Sequence, residues 1–456
     1  MGKRKKTSTF LALGSVVLVL VLLGWFLCVI FEGEKPGIAL RPLPDFLSGS
    51  QEFGLTISDM KRGLRILEVS VKQGRREISV LEKTFPFKGL LNSEGIDRYN
   101  TRFSIDPRKL NLAQGRVDLE VRVRDYSRRN GGDGNLSLIQ HKMVVDTIPP
   151  AIRALSRMHY VNLGGTGLVV YQASSDTVES GLFVNDVFFP GFQTGRESQR
   201  GLNVCYFAIP HDTKAQPEIY LWAKDKAGNL SKANFYYHMR RKRFQTERIN
   251  ITDRFLRRIL PYFAFCTFDP QLSDIEKFLK INQELRQENN SVFYNLRTET
   301  DPKRLWKGTW IRLKNAATMA GFGDRRFYYH KGQKVDEQVH LGVDLASLAN
   351  SEVQASNNGR VIFRDRLGIY GLTMVLDHGQ GLASVYSHLS EIRVAMGQEV
   401  MKGEVIGLTG QTGLAGGDHL HFGIMVNGVF INPVEWWDSH WIQDNVTRKL
   451  EILDRE

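Results

Sequence analysis

Five side chains that can bind a metal ion or carry a proton lie in three short segments near the end of the chain. They are His340 and Asp344 in HLGVD, His388 in YSHLS, and His419 and His421 in DHLHF. A catalytic zinc ion takes about three protein ligands and keeps one position open, and histidine with a carboxylate is a common ligand set. Two further histidines would supply the proton transfers of metal-assisted hydrolysis. The cluster therefore indicates an enzyme.

The spacing within these segments predicts that they line one groove on a β-sheet. Residues two apart on a strand point to the same face, so His419 and His421 project together. An extended HLGVD would keep His340 and Asp344 on one face, and His388 lies on the predicted strand LASVYSHL. Each segment alone is weak, because an HxxxD pair or a lone histidine often arises by chance. The order of all three among glycine-rich turns carries the prediction.

An apolar segment near the N-terminus predicts the compartment of these residues. Thr9 to Phe31 is uncharged and strongly apolar, and as a helix it would span about 35 Å, enough to cross a bilayer. Basic residues precede it and Glu32 follows, so the positive-inside rule predicts a cytoplasmic tail at 1–8 and a transmembrane anchor at 9–31. A cleaved signal peptide is the alternative, although the run is long for one. We expect a single-pass protein of the cytoplasmic membrane, with its N-terminus inside and the histidines in the periplasm or extracytoplasmic space.

The net charge of the chain limits which binding partners are expected. The formal net charge of +12 favours anionic surroundings such as phospholipid headgroups or an acidic wall polymer. No nucleic-acid motif is present and the basic excess is spread along the chain, so no nucleic-acid partner is predicted.

The three cysteines give little information about the fold. Cys28 lies in the apolar run, while Cys205 and Cys266 could form a disulfide or remain two buried thiols. There is no CxxC, so no thiolate zinc site is implied.

Short strands between turn residues predict two tandem β-sandwiches, at 35–147 and 148–240. Both contain one repeated pattern, in which a strand ends at an aspartate (Asp125, Asp225), turns through Gly-Asn and resumes. VVDTIPPAI separates them, and its two prolines suit a domain junction. The aspartate turn and this junction resemble bacterial immunoglobulin-like modules of surface proteins. That resemblance implies fold only, and binding of an envelope protein or of the wall polymer is a secondary expectation.

The pattern becomes helical in the segment 241–300, which we interpret as a linker. Thr252 can cap a short helix, and Ser273 with Glu276 forms a capping-box pattern before a second one. The basic cluster at 240–243 could touch headgroups, although a solvated linker is the commoner explanation. The apolar stripe of the second helix is expected to pack on a neighbouring domain, and it could also shield the groove.

The region 301–440 returns to strands and glycine turns and carries a close resemblance. HLGVDLA, GRVIF, YSHLS, GEVIGLTGQTG, HLHFGI and INP, with FGDRRFYYH as a lead-in, resemble the lysostaphin/LytM-type zinc metalloendopeptidases that cut peptidoglycan peptides. The resemblance implies a compact antiparallel β-sheet domain with an open groove, followed here by a tail at 441–456. It also implies zinc held by His340, Asp344 and His421, and two unligated active-site histidines, His388 and His419.

Some positions depart from the family pattern or stay open. GLAGGD precedes HLH where the family commonly has a proline, and Gly423 stands where a glutamate is frequent. Neither position is a ligand, so substrate preference rather than zinc binding is put in doubt. Three tyrosines could donate to an oxyanion, but packing is the simpler explanation for each: Tyr328, Tyr329 and Tyr386.

Taken with the anchor, the resemblance implies a mainly β, membrane-anchored zinc metalloendopeptidase that hydrolyses peptidoglycan cross-links or stem peptides through a zinc-activated water. The cofactor is Zn2+ and the partners are the peptidoglycan peptide and the cytoplasmic membrane. Two alternatives stay open, a non-catalytic regulator or activator of another wall hydrolase, and a protease for exported proteins.

Overall fold

The computed structural model describes residues 3–194, 201–214 and 216–454. The first two residues of the predicted basic tail and the last two of the predicted C-terminal tail lie outside this part. The chain divides into two compact units, one comprising residues 1–149 and 226–229 and the other residues 150–225 and 230–456. As predicted, the described chain is mainly β, with one long apolar helix near the N-terminus.

The N-terminal helix α1 (Lys3–Ile30) carries no proline, and after its basic and hydroxyl-bearing first residues it is almost entirely apolar. The stretch Phe10–Ile30 is long and apolar enough to cross a membrane. Phe31 continues the helical hydrogen bonding by one residue, because its N–H donates to the carbonyl of Leu27 at 2.9 Å.

The first unit continues as two sheets around one core, antiparallel except for the parallel pair β2-β8. Its strands are β1 (Gly37–Arg41), β2 (Phe46–Leu47), β3 (Gln51–Ser58), β4 (Leu64–Gln73), β5 (Arg76–Thr84), β6 (Arg98–Ile105), β7 (Gly115–Asp125) and β8 (Leu136–Val145). One sheet has the order β1-β3-β6 and the other β2-β8-β7-β4-β5. Alternate residues of β3 (Phe53, Leu55, Ile57) and of β4 (Leu67, Val69) share one buried cluster. This is the sandwich that the alternating pattern predicts; the likeness to immunoglobulin modules stays a prediction.

The second unit begins with another pair of sheets. Its strands are β9 (Ile152–Ala154), β10 (His159–Asn162), β11 (Thr166–Ala173), β12 (Thr177–Val184), β13 (Val187–Pro190), β14 (Phe192–Gln193), β15 (Leu202–Ala208), β16 (Ile219–Asp225), β17 (Leu230–Asn234) and β18 (Tyr237–Arg240). The two four-stranded sheets are β14-β15-β11-β9 and β13-β12-β16-β17. β7 and β16 both end at the repeated aspartate, and the next strand begins at the leucine after Gly-Asn.

Residues 246–299 contain one strand and then helices. They form β19 (Thr246–Ile251), α2 (Asp253–Ile259), a 3-10 helix (Leu260–Phe263), α3 (Asp274–Lys280), a short π-helix (Ile281–Leu285), α4 (Arg286–Asn295) and a last 3-10 helix (Leu296–Glu299). Thr252 caps α2 by accepting the Phe255 N–H at 3.2 Å. Glu276 accepts the Ser273 N–H at 2.8 Å at the start of α3. Both caps are as predicted, whereas β19 lies inside the segment interpreted as a helical linker.

The C-terminal domain is built on an antiparallel sheet. Its strands are β20 (Ala317–Ala320), β21 (Arg325–His330), β22 (Gln333–Val339), β23 (Val343–Ala346), β24 (Glu352–Gln354), β25 (Gly359–Leu367), β26 (Gly371–Gly379), β27 (Leu382–Leu389), β28 (Glu391–Ile392), β29 (Glu399–Val400), β30 (Val405–Leu408), β31 (Leu420–Val426) and β32 (Val429–Ile431). The main sheet has the order β20-β23-β31-β27-β26-β25-β29, with β32 beside β31. Smaller sheets are β19-β21-β22 and β24-β30-β28.

Short helices close the chain and pack on the second sandwich. They are α5 (Val434–Trp437), α6 (Ser439–Ile442), a short π-helix (Gln443–Thr447), α7 (Arg448–Leu450) and a 3-10 helix (Glu451–Asp454). One buried cluster runs from β11 and β15 through the main sheet to Trp436 and Val446, so this sandwich and the C-terminal domain share a core. Cys205 is buried and Cys266 half-buried, and both are free thiols.

Candidate functional site

Two neighbouring strands of the main sheet bring the first site residues together. β23 and β31 are antiparallel, and Asp344 is paired directly with His421. On the other side of β31, His421 is paired with Ser387, the residue before His388 on β27. Because alternate residues share a face, Leu420 and Phe422 point into the core, each 2% exposed, as the spacing predicts. The pairing therefore places all three segments of the predicted cluster on adjacent strands of the main sheet.

HLGVD is not one continuous strand. β22 ends at Val339 and β23 begins at Val343, so His340 lies in the connection between them. The expectation that an extended HLGVD keeps His340 and Asp344 on one face is therefore replaced by a turn that brings their side chains together. Gly342 makes this turn fit, since a Cβ there would stand 2.6 Å from His421 Nε2.

Three side-chain atoms converge at this point. His340 Nε2 lies 2.9 Å from Asp344 Oδ1 and 3.0 Å from His421 Nδ1, and that nitrogen is 2.9 Å from the same Oδ1. Zinc ligands lie about 2.0–2.2 Å from the ion, so three atoms this close can all reach one cation. Two imidazole nitrogens and a carboxylate oxygen are also the donor types that zinc prefers. These residues fit a zinc ion.

Backbone carbonyls set the tautomers of three histidines. Each accepts a hydrogen bond from a histidine Nδ1–H, because a carbonyl oxygen cannot donate one. The bonds run from His340 to Gly321 O, from His388 to Thr412 O and from His419 to Gly417 O, each 2.8 Å long. In the neutral rings Nε2 therefore carries the lone pair. Such bonds to the far nitrogen are typical of metal-ligating histidines.

The rings of His388 and His419 lie beside the three converging atoms. Their centroids are 4.8 Å apart, and His419 Nε2 is 3.6 Å from Asp344 Oδ1. His388 has a positive φ of 62°, a backbone conformation that is uncommon for a side chain of this size and that often marks functional sites. The two rings thus lie next to the three converging atoms, at longer distances than those atoms lie from one another.

Burial and neighbouring charge shift the pKa values in opposite directions. Burial lowers the pKa of His388 far below its usual range and that of His421 to about 4. Burial also acts to lower the pKa of His419, but the Asp344 carboxylate beside it raises it above the usual value. Burial would raise the pKa of Asp344, yet the adjacent histidines hold it well below its usual range. The Asp344 carboxylate is therefore ionised at neutral pH, beside the neutral imidazoles of His388 and His421.

Arg326 orients the carboxylate and was not foreseen from the sequence. Its Nη2 donates to Asp344 Oδ2 at 3.0 Å, and its Nε donates to Glu247 at 3.1 Å. Because Oδ2 is occupied in this way, Oδ1 is the oxygen that faces the two imidazoles. Arg326 lies in the FGDRRFYYH stretch that marks the family resemblance, but that stretch alone does not indicate a contact with Asp344.

The cluster opens into a cavity of about 230 Å³ with two kinds of wall. One wall belongs to the main domain and includes Ile369, Tyr370 and Leu414. The other comes from residues of β19, α2, α3 and α4, namely Glu247, Ile249, Ile251, Phe255, Phe278 and Arg286. The segment considered as a shield thus forms one side of the site.

The tyrosines and remaining histidines fall into separate environments. Tyr386 is buried and its hydroxyl oxygen accepts a hydrogen bond from Ser384 Oγ at 3.0 Å, and Tyr329 packs under Arg248, so both are packing residues. Tyr328 lines the cavity, as does Tyr370, which no sequence signal marked. Two other histidines form hydrogen bonds elsewhere: His330 with Ile251 O, and His378 with Asn358 O and Ser384.

A protein-family model matches the region of the chain that carries this site. The family model for peptidase family M23 matches residues 338–433, which include all five predicted site residues. This part of the chain is a peptidase family M23 domain. The match covers the C-terminal region, and the β-sandwiches and the N-terminal helix lie outside it.

Three of the similar curated proteins give the extent of the likeness. The DD-carboxypeptidase/endopeptidase Mpg of Neisseria meningitidis is 40% identical over 97 residues, which are 21% of this chain and 22% of the relative. The peptidoglycan DD-endopeptidase ShyA of Vibrio cholerae is 36% identical over 96 residues, 21% of this chain and 22% of the relative. The murein hydrolase activator EnvC of Escherichia coli is 37% identical over 95 residues, 21% of this chain and 23% of the relative. The chain thus spans about a fifth of the length of these curated relatives.

Proposed function

We propose that this chain is a membrane-anchored zinc metalloendopeptidase that hydrolyses peptide bonds of peptidoglycan. The observation that carries the proposal is the convergence of His340 Nε2, Asp344 Oδ1 and His421 Nδ1 within 3.0 Å of one another. Peptidoglycan as the substrate rests on the resemblance to lysostaphin-type enzymes and on a relative named as a peptidoglycan DD-endopeptidase. The membrane anchor rests on α1.

His340, Asp344 and His421 would hold the metal. When bound, zinc acidifies water and polarises a carbonyl group. Arg326 keeps the Asp344 carboxylate turned toward the imidazoles, and Gly342 leaves room for the His421 ring. The apolar residues of the cavity walls limit the access of bulk water to the peptide bond.

His388 and His419 would handle the protons. Hydrolysis removes a proton from the attacking water and delivers one to the leaving amine nitrogen as the C–N bond breaks. Both residues donate Nδ1–H to a backbone carbonyl, so both can present Nε2 to a substrate in the cavity. The proton-accepting and oxyanion-stabilising roles stay unassigned between them.

The test is the release of muropeptides from purified sacculi by the detergent-solubilised full chain, followed by mass spectrometry. We expect cleavage that stops with a zinc chelator and is lost in His388→Ala. The matched control is His440→Ala, because the His440 side chain is 96% exposed and remote from the cluster. Zinc-loaded protein that cuts no peptidoglycan chemotype would exclude the proposal. The products would also identify the bond and would separate this activity from general proteolysis.

The alternative is an activator of another wall hydrolase, as one relative is named. The five predicted positions are all present in this chain, which favours catalysis. A partner hydrolase whose activity rises equally with the wild-type chain and with His421→Ala would instead support the activator.

A further inference from the structure

The first unit holds the end of α1 without a free linker. Backbone carbonyls of the last helical residue and of the residues after it accept hydrogen bonds from the loop between β7 and β8. The bonds run from Arg128 N to Ile30 O, from Arg129 Nε to Phe31 O and from Ser127 Oγ to Glu32 O, at 2.7, 2.7 and 2.8 Å. Asn135 Nδ2 then donates to Glu34 O at 3.0 Å. The sandwich therefore follows the helix end directly, and one end of it must lie where the apolar span ends.

Three loops form that end of the sandwich, which we call the exit face. They are 59–63 between β3 and β4, 85–97 between β5 and β6, and 126–135 between β7 and β8. Arg62 Nη1 joins the first to the second through Leu91 O at 2.7 Å, and Arg65 Nη1 bonds Gly132 O in the third at 2.8 Å. Lys61 pairs with Glu34 at 2.8 Å, which ties the first loop to the chain leaving the helix.

The exit face exposes large apolar side chains. Met60 is 76% exposed, Phe87 50% and Leu90 83%. Such side chains are usually covered, and grouped exposure commonly marks a contact surface. Since each lies on one of the loops tied to the helix end, all three are near the level at which α1 would leave a bilayer.

The loop that carries Leu90 is held in an uncommon conformation. Leu91 and Asn92 have φ angles of 54° and 68°, values that side-chain-bearing residues rarely adopt. The buried Asn92 fixes the turn, because its Oδ1 accepts the Lys88 N–H at 2.8 Å and its Nδ2 donates to Arg62 O at 2.7 Å. The exposure of Leu90 is thus a property of an ordered turn.

Charge contributes little to this surface. The three loops and residues 31–36 together carry as many acidic as basic side chains. Attraction to anionic headgroups should therefore be weak, and apolar contact with the interfacial layer is the main expected term.

We propose that the exit face rests on the bilayer crossed by α1, with Met60, Phe87 and Leu90 inserted at the boundary between headgroups and acyl chains. This inference rests on the proposed membrane anchoring. One end of the first sandwich then contacts the membrane surface. Its opposite end, at the β4–β5 turn, lies about 30 Å from the exit face, since β4 has ten residues at about 3.3 Å each.

The test places an environment-sensitive dye on single cysteines of the full chain in lipid nanodiscs. Cys28 and Cys266 are first replaced, and the buried Cys205 stays unlabelled. The probes are Leu90→Cys and Met60→Cys on the exit face, and the matched control is Arg75→Cys in the exposed β4–β5 turn. We expect blue-shifted emission and quenching by headgroup-level lipid quenchers at 90 and 60, and aqueous quenching at 75. The two exit-face signals should be equal in zwitterionic and anionic lipid.

Two results would overturn the inference in distinguishable ways. If alkaline carbonate leaves the chain in the membrane but all three probes respond only to the aqueous quencher, the membrane anchor is supported and contact of the exit face with the bilayer is excluded. If carbonate releases the chain, the anchor itself fails and the inference falls with it.

Discussion

Asp344 and His421 are direct partners across two antiparallel strands, and their facing atoms Oδ1 and Nδ1 lie 2.9 Å apart. This pairing makes the sheet itself the support for two of the three predicted ligands. His340 joins them from the connection before β23. A site held by backbone pairing is preorganised, so removing one ligand should affect metal binding more than folding.

Asp344→Asn should abolish metal binding at stoichiometric zinc and reduce cleavage below detection. The amide keeps the shape of the carboxylate but lacks its charge, which the two imidazoles and Arg326 now surround. The measurement is zinc content by elemental analysis beside muropeptide release. A variant that retains one zinc per chain would contradict the assignment of Asp344 as a ligand.

Gly342→Ala should weaken zinc binding and activity together. The added Cβ would stand 2.6 Å from Nε2 and Cε1 of His421, so the ring or the backbone has to move. Gly417→Ala is the matched control, because nothing lies within 4 Å of a Cβ there although Gly417 O bonds His419. Equal zinc affinity in the two variants would show that the packing of the His421 ring is not needed.

Arg326→Ala should lower zinc affinity by roughly 10- to 100-fold, the usual effect of removing the partner of a ligand. Without the guanidinium, Asp344 can rotate and Oδ2 is left without its charged donor. Arg326→Lys should recover part of the affinity. The neighbouring Arg325→Ala is the control, since Arg325 is exposed and pairs with Glu337. Zinc titrations of the three variants test the order, and an Arg326→Ala affinity equal to that of Arg325→Ala would contradict it.

The two-residue period and the helix caps could be predicted from the sequence because they depend on local geometry. HLH predicts two histidines on one face, and Thr252 and Ser273 mark helix starts, as the structure shows. Strand pairing joins residues far apart in sequence, so neither the Asp344–His421 pair nor the Arg326 contact follows from local patterns. Local patterns also do not predict that Phe278 lines the cavity, because Phe278 is far in sequence from the site residues.

The strand β19 illustrates a different limit. TERINI follows a basic run and precedes a helix cap, and its alternation is short, so the local pattern favours a linker. Its conformation is set by parallel pairing with β21, in which Ile249 lies opposite Tyr328. One consequence concerns truncation: a fragment that begins at residue 300 would lack an edge strand of the domain. It would expose Tyr328, which is 5% exposed in the full chain and packs with Ile251 and Phe278.

Glu435 should make the stability of the second unit depend on pH. Burial raises the pKa of its carboxyl to about 7, even though Asn162 Nδ2 and Thr166 N donate to it at 2.7 and 2.9 Å. Because the folded-state pKa exceeds the usual 4.5, the folded protein favours the protonated form. The associated stability is complete below about pH 4.5 and is lost as pH rises through 7.

Glu435→Gln should therefore match the wild type near pH 4.5 and be more stable at pH 8, by an upper estimate of about 3 kcal/mol. The glutamine oxygen can accept the Thr166 N–H, and a rotated Asn162 amide can accept from its nitrogen, so both hydrogen bonds survive without a buried charge. Calorimetric melting temperatures at the two pH values give the comparison, with the exposed Glu399→Gln as a control that should show no such divergence. If both substitutions change the melting temperature equally at both pH values, Glu435 is not protonated preferentially in the folded state, and the carboxylate is instead stabilised by its two donors.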